Sequence, residues 1–241
     1  MESKANIVLV HGAWADGSSW SKVIPLLQQK GFNVTAAQIP LTSLADDIAV
    51  TRNLLAAQKG PTVLVGHSYA GVVISGAAND APNVEALVYI PAFGLDEGES
   101  IDALSKQGPA PAGDAAIRPP DNQGFLWIDR DGFAKAFAAD IDSVEARVMA
   151  AVQKPLSINS FTAKSGSPAW KRLPSWYMVA TEDQMIPPQA EEFIAKRMGA
   201  TIRRVPSSHA AMLSHPKEVA AVIVLAAESI GKSATPSRVS A

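Results

Sequence analysis

Six short apolar runs along the chain have the length of β-strands. They cover residues 6–10, 33–37, 62–65, 84–90, 176–180 and 201–205. Apolar residues are nearly continuous within these runs rather than alternating with polar ones, which is typical of strands in a parallel sheet that is covered on both faces. The pattern therefore predicts a mostly parallel central sheet.

Between these runs, apolar residues recur at helical spacing. One stripe runs through residues 20–27, and Pro25 should kink that helix near its start. A second stripe runs through residues 44–55 and begins after Ser43, which has the spacing of a capping box. A third follows Pro216. Strands and helices thus alternate, which predicts an α/β fold with helices on both faces of the sheet.

The alternation breaks between residues 93 and 173. Residues 108–124 contain four prolines and three glycines without periodicity. Because structureless loops of this length are rare in compact domains, we expect an inserted cap of short helices, clearest at residues 142–153. The remaining parts are a core formed by residues 1–92 and 174–231 and a flexible tail at 232–241.

Composition narrows the classes of function. The chain has no cysteine, so disulfides and thiolate chemistry are excluded. Its net charge is −2, so it would attract nucleic acid or an anionic membrane only weakly. The N-terminus lacks a signal-peptide pattern, and no apolar run has the length of a membrane span. We expect a cytoplasmic protein with a small-molecule partner and no cofactor or metal, and a homodimer is compatible with the sequence.

The stretch Val-Leu-Val-Gly-His-Ser-Tyr-Ala-Gly, residues 63–71, leads from a predicted strand through small residues into a predicted helix. A serine on such a turn is held beyond the carboxyl end of the strand, which is the arrangement of a nucleophile elbow. The alternative is a helix-capping serine in a glycine-rich turn. The flanking strand and helix favour Ser68 as a nucleophile.

A serine nucleophile needs a histidine base and an acid that orients it. His209 follows the last predicted strand directly and is the preferred base, whereas His215 stands at the start of the final helix. For the acid, Asp183 follows the preceding strand and is preferred, with Asp96 or Glu97 as the alternative. The expected chain order is serine, acid, histidine, which these residues satisfy.

An oxyanion that forms at the attacked carbonyl needs two backbone N–H donors. One should be that of Tyr69, directly after the serine. The other should come from the loop after the first strand, where Gly12 allows close approach of the backbone and Ala13 would donate.

Four stretches of this sequence, residues 8–14, 66–71, 181–183 and 208–216, resemble the α/β-hydrolase superfamily, and within it the small esterases related to plant methylesterases and hydroxynitrile lyases. The similarity runs from about residue 6 to 230 and is poor across the cap. It implies an α/β-hydrolase fold with a helical lid, no metal and no cofactor. It also implies Ser68, Asp183 and His209 as a triad, with Ala13 and Tyr69 as oxyanion donors.

Three departures from the lyases favour hydrolysis: Gly12, His67 and Ala210 stand where those lyases carry threonine, glutamate and lysine. We therefore expect a carboxylesterase (EC 3.1.1.-) that forms an acyl-enzyme with small, largely apolar esters. The expected substrate-binding residues are Gly12, Trp14, Trp127 and Met212. A lyase, a cofactor-free oxygenase and a non-catalytic ligand receptor on the same scaffold remain as alternatives.

Overall fold

The computed structural model describes residues 4–108 and 110–230, so the expected tail at 232–241 lies outside the described residues. Eight strands are present in this part of the chain: β1 (Asn6–Val10), β2 (Asn33–Ala36), β3 (Thr62–Ser68), β4 (Val84–Ala92), β5 (Phe125–Leu126), β6 (Leu156–Ser157), β7 (Ser175–Ala180) and β8 (Thr201–Val205). Six of them form one sheet in the order β2-β1-β3-β4-β7-β8. All neighbours in this sheet are parallel, as the apolar runs predict.

The helices of the described residues are α1 (Ile24–Gln29), α2 (Leu44–Ala56), α3 (Ala70–Ala77), α4 (Ile101–Ser105), α5 (Arg130–Phe137), α6 (Ser143–Val152), α7 (Ile158–Thr162), α8 (Pro188–Arg197), α9 (Ala211–Ser214) and α10 (Pro216–Ile230). Every residue of β1, β3 and β7 is buried, whereas the edge strand β2 is mostly half-buried and the edge strand β8 is mostly exposed. The helices therefore cover both faces of the central strands, and the α/β fold class is confirmed. No helix in the described ranges is long and apolar enough to cross a membrane.

The sequence predicts one kinked helix for the first helical stripe, and the structure does not form it. The stripe divides into a 3-10 turn, Gly17–Trp20, and α1, which has Pro25 in its first turn. A proline has no N–H to donate and its ring clashes with the preceding turn, but neither matters where a helix begins. The chain therefore starts a new helix at the proline instead of bending an existing one. The second stripe behaves as predicted, with the Ser43 hydroxyl accepting the N–H of Asp46 at 3.1 Å.

The segment between β4 and β7 contains α4 to α7 and the antiparallel pair β5-β6. Asp142 caps α6 by accepting the N–H groups of Val144 and Glu145. The indole of Trp14, in the loop after β1, donates to the carbonyl of Leu126 at 2.9 Å, and the backbone N–H of Trp14 donates to the carbonyl of Lys154 at 3.0 Å. These bonds join the segment to the edge of the sheet where the strands end.

Candidate active site

Ser68 is the last residue of β3, and α3 begins two residues later at Ala70. Its φ of 56° lies in the left-handed region, which residues other than glycine rarely adopt, so the backbone of this turn is strained. A Cβ at Gly66 would lie 2.8 Å from the carbonyl oxygen of Ala70, and one at Gly71 would collide with the carbonyl oxygen of Phe93. The small residues of the motif are therefore required for α3 to pass this close to the sheet.

Asp183 and His209 follow β7 and β8, which are neighbours in the sheet, so their loops meet at its carboxyl edge. One Asp183 oxygen, Oδ2, lies 2.5 Å from His209 Nδ1. The other, Oδ1, accepts the backbone N–H groups of Met185 at 2.7 Å and Ile186 at 3.0 Å. Both side chains of the pair are fully buried. Three hydrogen bonds thus fix the carboxylate, which in turn fixes the imidazole.

The second ring nitrogen of His209, Nε2, is buried and has no hydrogen-bond partner among the described residues. Since Nδ1–H donates to Asp183, Nε2 carries the lone pair that can accept a proton. The imidazole of His67, directly before Ser68, lies with its ring centre 4.7 Å from that of His209. A free basic nitrogen is therefore buried beside the elbow that carries the serine hydroxyl.

His67 also holds the loop of His209. Its Nε2 lies 2.9 Å from the backbone carbonyl of His209. Burial and the nearby imidazole of His209 lower the pKa of His67 well below its ordinary value. His67 is therefore neutral, and its Nε2–H donates to that carbonyl. Nothing in the sequence pattern indicates this bond, because the two residues are 142 positions apart.

The alternative base and acid are engaged elsewhere. His215 is partly exposed, and its Nδ1 lies 2.9 Å from the hydroxyl of Ser214 and 3.7 Å from Asp140. Asp96 forms an ion pair with Lys171, and both side chains are partly exposed. The structure thus brings together Asp183 and His209, not His215 or Asp96.

Ala13 and Tyr69 both line a small cavity at Ser68. In the described part of the chain, neither of their backbone N–H groups donates a hydrogen bond, whereas the N–H of the adjacent Trp14 is occupied by Lys154. Two unoccupied donors beside a serine hydroxyl are the components of an oxyanion hole.

The side chain of Tyr69 has a partner that the sequence did not indicate. Its hydroxyl donates to Asp47 Oδ2 at 2.6 Å, and Asp47 Oδ1 accepts the N–H of Leu41 at 2.7 Å. Leu41 has a φ of 62°, so this bond also holds a strained turn. Burial raises the pKa values of both Asp47 and Tyr69. Asp47 belongs to the first turn of α2, where an acid is ordinarily a solvated residue.

The cavity at Ser68 has a volume of only about 30 Å³. Trp14 lines it, and Gly12 lies directly beneath the serine, since a Cβ there would be 2.7 Å from Ser68 Cβ. Trp127 and Met212, expected at the substrate, are not among the described lining residues. The Trp127 indole donates to Asp121 at 3.0 Å, and Met212 is buried in α9. Over residues 4–108 and 110–230, no cluster of three or more potential ligands could hold a metal ion.

Comparison with known proteins places the chain in a family. A family model described as "Alpha/beta hydrolase family" matches residues 7–222. A pyrethroid hydrolase of Sphingobium wenxiniae is 26% identical, with 90% of this chain and 86% of the relative covered. Methylesterase 1 of Arabidopsis thaliana is 25% identical, with 79% and 83% covered.

A solved structure has the same fold. The pyrethroid hydrolase from Sphingobium faniae JZ-2 superposes with a TM-score of 0.83 at 22% identity, over 95% of this chain and 99% of that one. Relatives named as hydrolases and esterases support a hydrolase of the carboxylesterase type. With the elbow, the paired acid and histidine, and a family match over most of its length, the chain belongs to the alpha/beta hydrolase family.

Proposed function

We propose that this protein hydrolyses carboxylic esters through an acyl-enzyme formed on Ser68. The observation that carries the proposal is the state of His209: its Nδ1 is bound to a fully buried carboxylate while its Nε2 is buried without a partner among the described residues. Such a nitrogen can take the proton of a nearby hydroxyl. Ester hydrolysis also accords with the names of the relatives.

The reaction begins when the Ser68 hydroxyl attacks the ester carbonyl and His209 Nε2 takes its proton. The N–H groups of Ala13 and Tyr69 donate to the oxyanion. The protonated imidazole is stabilised by Asp183, and it then gives its proton to the leaving alcohol, so that an acyl group remains on the serine. Water, deprotonated by the same nitrogen, attacks the acyl group, and the acid is released with Ser68 restored.

The Ser68 hydroxyl makes no hydrogen bond to His209 in the described structure. This accords with the proposal, because hydrogen bonds between nucleophile and base are often long without substrate and tighten in the substrate complex. The strained φ of Ser68 leaves its hydroxyl at the end of β3, beside both proposed oxyanion donors.

The lyase alternative receives no support from the site. A threonine at position 12 has no room in this chain, because even a Cβ there would lie 2.7 Å from Ser68 Cβ and 2.9 Å from the carbonyl oxygen of His67. Ala210 is fully buried and supplies no cation beside His209. Position 210 therefore provides no positive charge for a leaving cyanide.

The test is turnover of p-nitrophenyl acetate and labelling by a fluorophosphonate. Wild type should turn over the ester and be labelled, and Ser68→Ala should lose both activities, with a fall in kcat of about 10⁴-fold or more. Ser167→Ala is the matched control, because Ser167 is exposed and does not line the cavity, so this variant should remain labelled and active. An inert, unlabelled wild type would favour a ligand receptor and remove the proposal.

A further inference from the structure

The catalytic cavity is too small for an ester of more than a few atoms. Its volume of about 30 Å³ is of the order of one or two water molecules. A substrate that reaches Ser68 must therefore extend beyond this cavity, and the neighbouring surface determines what it can be.

A larger cavity adjoins the first one. It has a volume of about 400 Å³, within the range of about 300–1,000 Å³ of ordinary ligand pockets. We call it the outer groove; its walls come from α4 and its following loop on one side and from α8 and the residues before it on the other, including Leu104, Ser105, Met185, Ile186, Ala190 and Phe193.

The two cavities adjoin each other, because Phe93, Ser105, Met185 and Ile186 line both. Two of these four, Met185 and Ile186, donate their N–H groups to Asp183 and are therefore held in place by the same carboxylate that orients His209. The residues at the junction of the outer groove and the cavity at Ser68 are thus held by the same hydrogen bonds that fix Asp183.

The outer groove is suited to an apolar group. Its described lining contains no charged side chain. Phe193 is 52% exposed where it lines the groove, and the guanidinium of Arg197 lies 5.3 Å from its ring centre. Arg197 is itself bound to Glu99 at 2.7 Å, so the aromatic wall is braced. A rigid, exposed apolar wall beside an active site indicates a ligand that covers it.

One charged residue lies among the described residues that line the two cavities. This is Asp114, at the catalytic cavity. Asp114 is exposed as a whole, its carboxylate makes no hydrogen bond or ion pair with another described residue, and loss of hydration where it lines the cavity raises its pKa above the ordinary value. Since no cation of the described residues forms an ion pair with it, a negative charge here would repel an anionic substrate.

We propose, on the basis of the esterase function above, that the outer groove binds the larger apolar portion of the substrate and that Asp114 excludes anionic esters. The substrates would then be uncharged esters with an extended apolar chain or ring, rather than the small esters that the sequence suggests.

Chain length provides the first test. In p-nitrophenyl esters, kcat/KM should rise at least about tenfold from butyrate to octanoate, since a fully buried methylene can contribute up to about fourfold. Ala190→Phe, which fills the groove, should abolish this rise by lowering octanoate turnover far more than acetate turnover. Phe193→Ser should also reduce octanoate turnover, because it makes an exposed part of the groove polar. Val148→Ser is its control and should leave octanoate turnover unchanged, because Val148 is 55% exposed on α6 and lines neither cavity.

Binding without catalysis separates this inference from the proposed function. The uncharged ketone 2-decanone cannot be hydrolysed, and it should bind Ser68→Ala by calorimetry but bind at least about tenfold more weakly when Ala190→Phe is added. Equal affinity in the two proteins would overturn the groove as a subsite, whether or not the enzyme hydrolyses esters. Binding that depends on Ala190, without ester turnover, would retain the site and overturn only the reaction.

The charge is tested with a matched pair of esters at pH 8. Methyl hexanoate is neutral, and monomethyl adipate has the same chain length with a carboxylate at its end. Asp114→Asn should raise the ratio of kcat/KM for adipate over hexanoate at least about threefold, and less at high salt. Asp131→Asn removes the same charge outside the cavities and should leave the ratio unchanged. Equal ratios in both variants would overturn the role of Asp114.

Discussion

The carboxylate of Asp140, between α5 and α6, accepts the backbone N–H of Ser208 at 3.1 Å and also the hydroxyl of Ser208. Ser208 directly precedes His209, so an aspartate of the segment between β4 and β7 holds the loop of the proposed base. Burial alone would raise the pKa of Asp140, but hydrogen bonds from Ser208 and Ser214 outweigh it and lower the pKa. The segment between β4 and β7 thus contributes to the position of the imidazole.

Removal of this contact should slow catalysis more than it weakens substrate binding. We expect Asp140→Ala to lower kcat by about ten- to hundredfold with little change in KM, because a small displacement of a catalytic group is costly. Asp142→Ala is the control: it removes the cap of α6, at a cost of about 1 kcal/mol, without touching Ser208. Equal losses of kcat in the two variants would show that Asp140 acts only through general stability.

The two candidate bases differ in their surroundings and should differ in effect. His209→Ala should reduce kcat by about 10⁴-fold or more, because among the described histidines only His209 is paired with a fully buried carboxylate. His215→Ala should change kcat less than about tenfold, since its contacts to Ser214 and Asp140 lie away from the cavity. Steady-state turnover of p-nitrophenyl butyrate measures both, and the reverse order would move the base to His215.

The orienting acid can be tested with isosteric amides. Asp183→Asn should lower kcat by about 10⁴-fold, because an amide that donates to Nδ1 places the imidazole proton on Nε2, where the lone pair is needed. Asp96→Asn breaks only a partly exposed ion pair with Lys171 and should retain activity. Loss confined to Asp96→Asn would transfer the role to that residue.

The space at Gly12 is filled by the elbow. In Gly12→Ala the new Cβ would lie 2.7 Å from Ser68 Cβ and 2.9 Å from the carbonyl oxygen of His67, and neither backbone can yield easily. We expect a loss of about 1–3 kcal/mol in the free energy of unfolding and at least about a tenfold loss of kcat. A Cβ at Gly166 would meet nothing within 4 Å, so Gly166→Ala should be neutral. Full activity of Gly12→Ala would contradict the geometry of the elbow.

Glu191 of α8 should make the protein less stable as the pH rises. It is fully buried, and Oε2 accepts the N–H of Ala180 at 3.0 Å, while Oε1 has no hydrogen-bond partner among the described residues. Burial, and then the negative charge of Asp183, raise the pKa of Glu191 well above its ordinary value. The folded protein therefore keeps this proton at a pH where the unfolded chain has lost it.

Because the folded protein holds this proton more tightly than the unfolded chain, the free energy of unfolding should fall as the pH rises. The stabilisation is full below the unfolded pKa of about 4.3, and above it the free energy of unfolding falls by up to about 1.4 kcal/mol per pH unit until the folded pKa is reached. Glu191→Gln removes this dependence, so its stability relative to wild type should increase from pH 5 to pH 8 in urea unfolding. Glu192→Gln is the control, because its pKa is lowered by Arg204 and gives no such trend. Parallel curves for wild type and Glu191→Gln would contradict a protonated Glu191.

The fold and the main candidates were readable from sequence because their signals are local. Continuous apolar runs mark strands that are covered on both faces, and the small residues around Ser68 are needed by the turn itself. His209 and Asp183 follow directly after strands, and the carboxyl ends of parallel strands share one edge of the sheet. The order of the elements along the chain therefore predicts which residues meet.

Trp127 and Met212 show where such reasoning ends. An aromatic or apolar residue in an irregular segment carries no period that tells which way it points, and Trp127 donates to Asp121 while Met212 is buried in α9. The short helix α1 likewise departs from the predicted kinked helix, because a proline at its start is compatible with two local structures.

The sequence by itself determined the parallel α/β sheet, the elbow at Ser68 and the loops that carry the acid and the base. Only the tertiary structure decided that Asp47 holds Tyr69, that Asp140 holds the loop of His209, that Glu191 is buried near Asp183, and that an apolar groove adjoins the cavity at Ser68. The physical reason is that these features depend on contacts between residues far apart in the chain. A carboxylate looks the same in sequence whether it is solvated or buried, and a cavity is bounded by elements whose mutual packing no local pattern specifies.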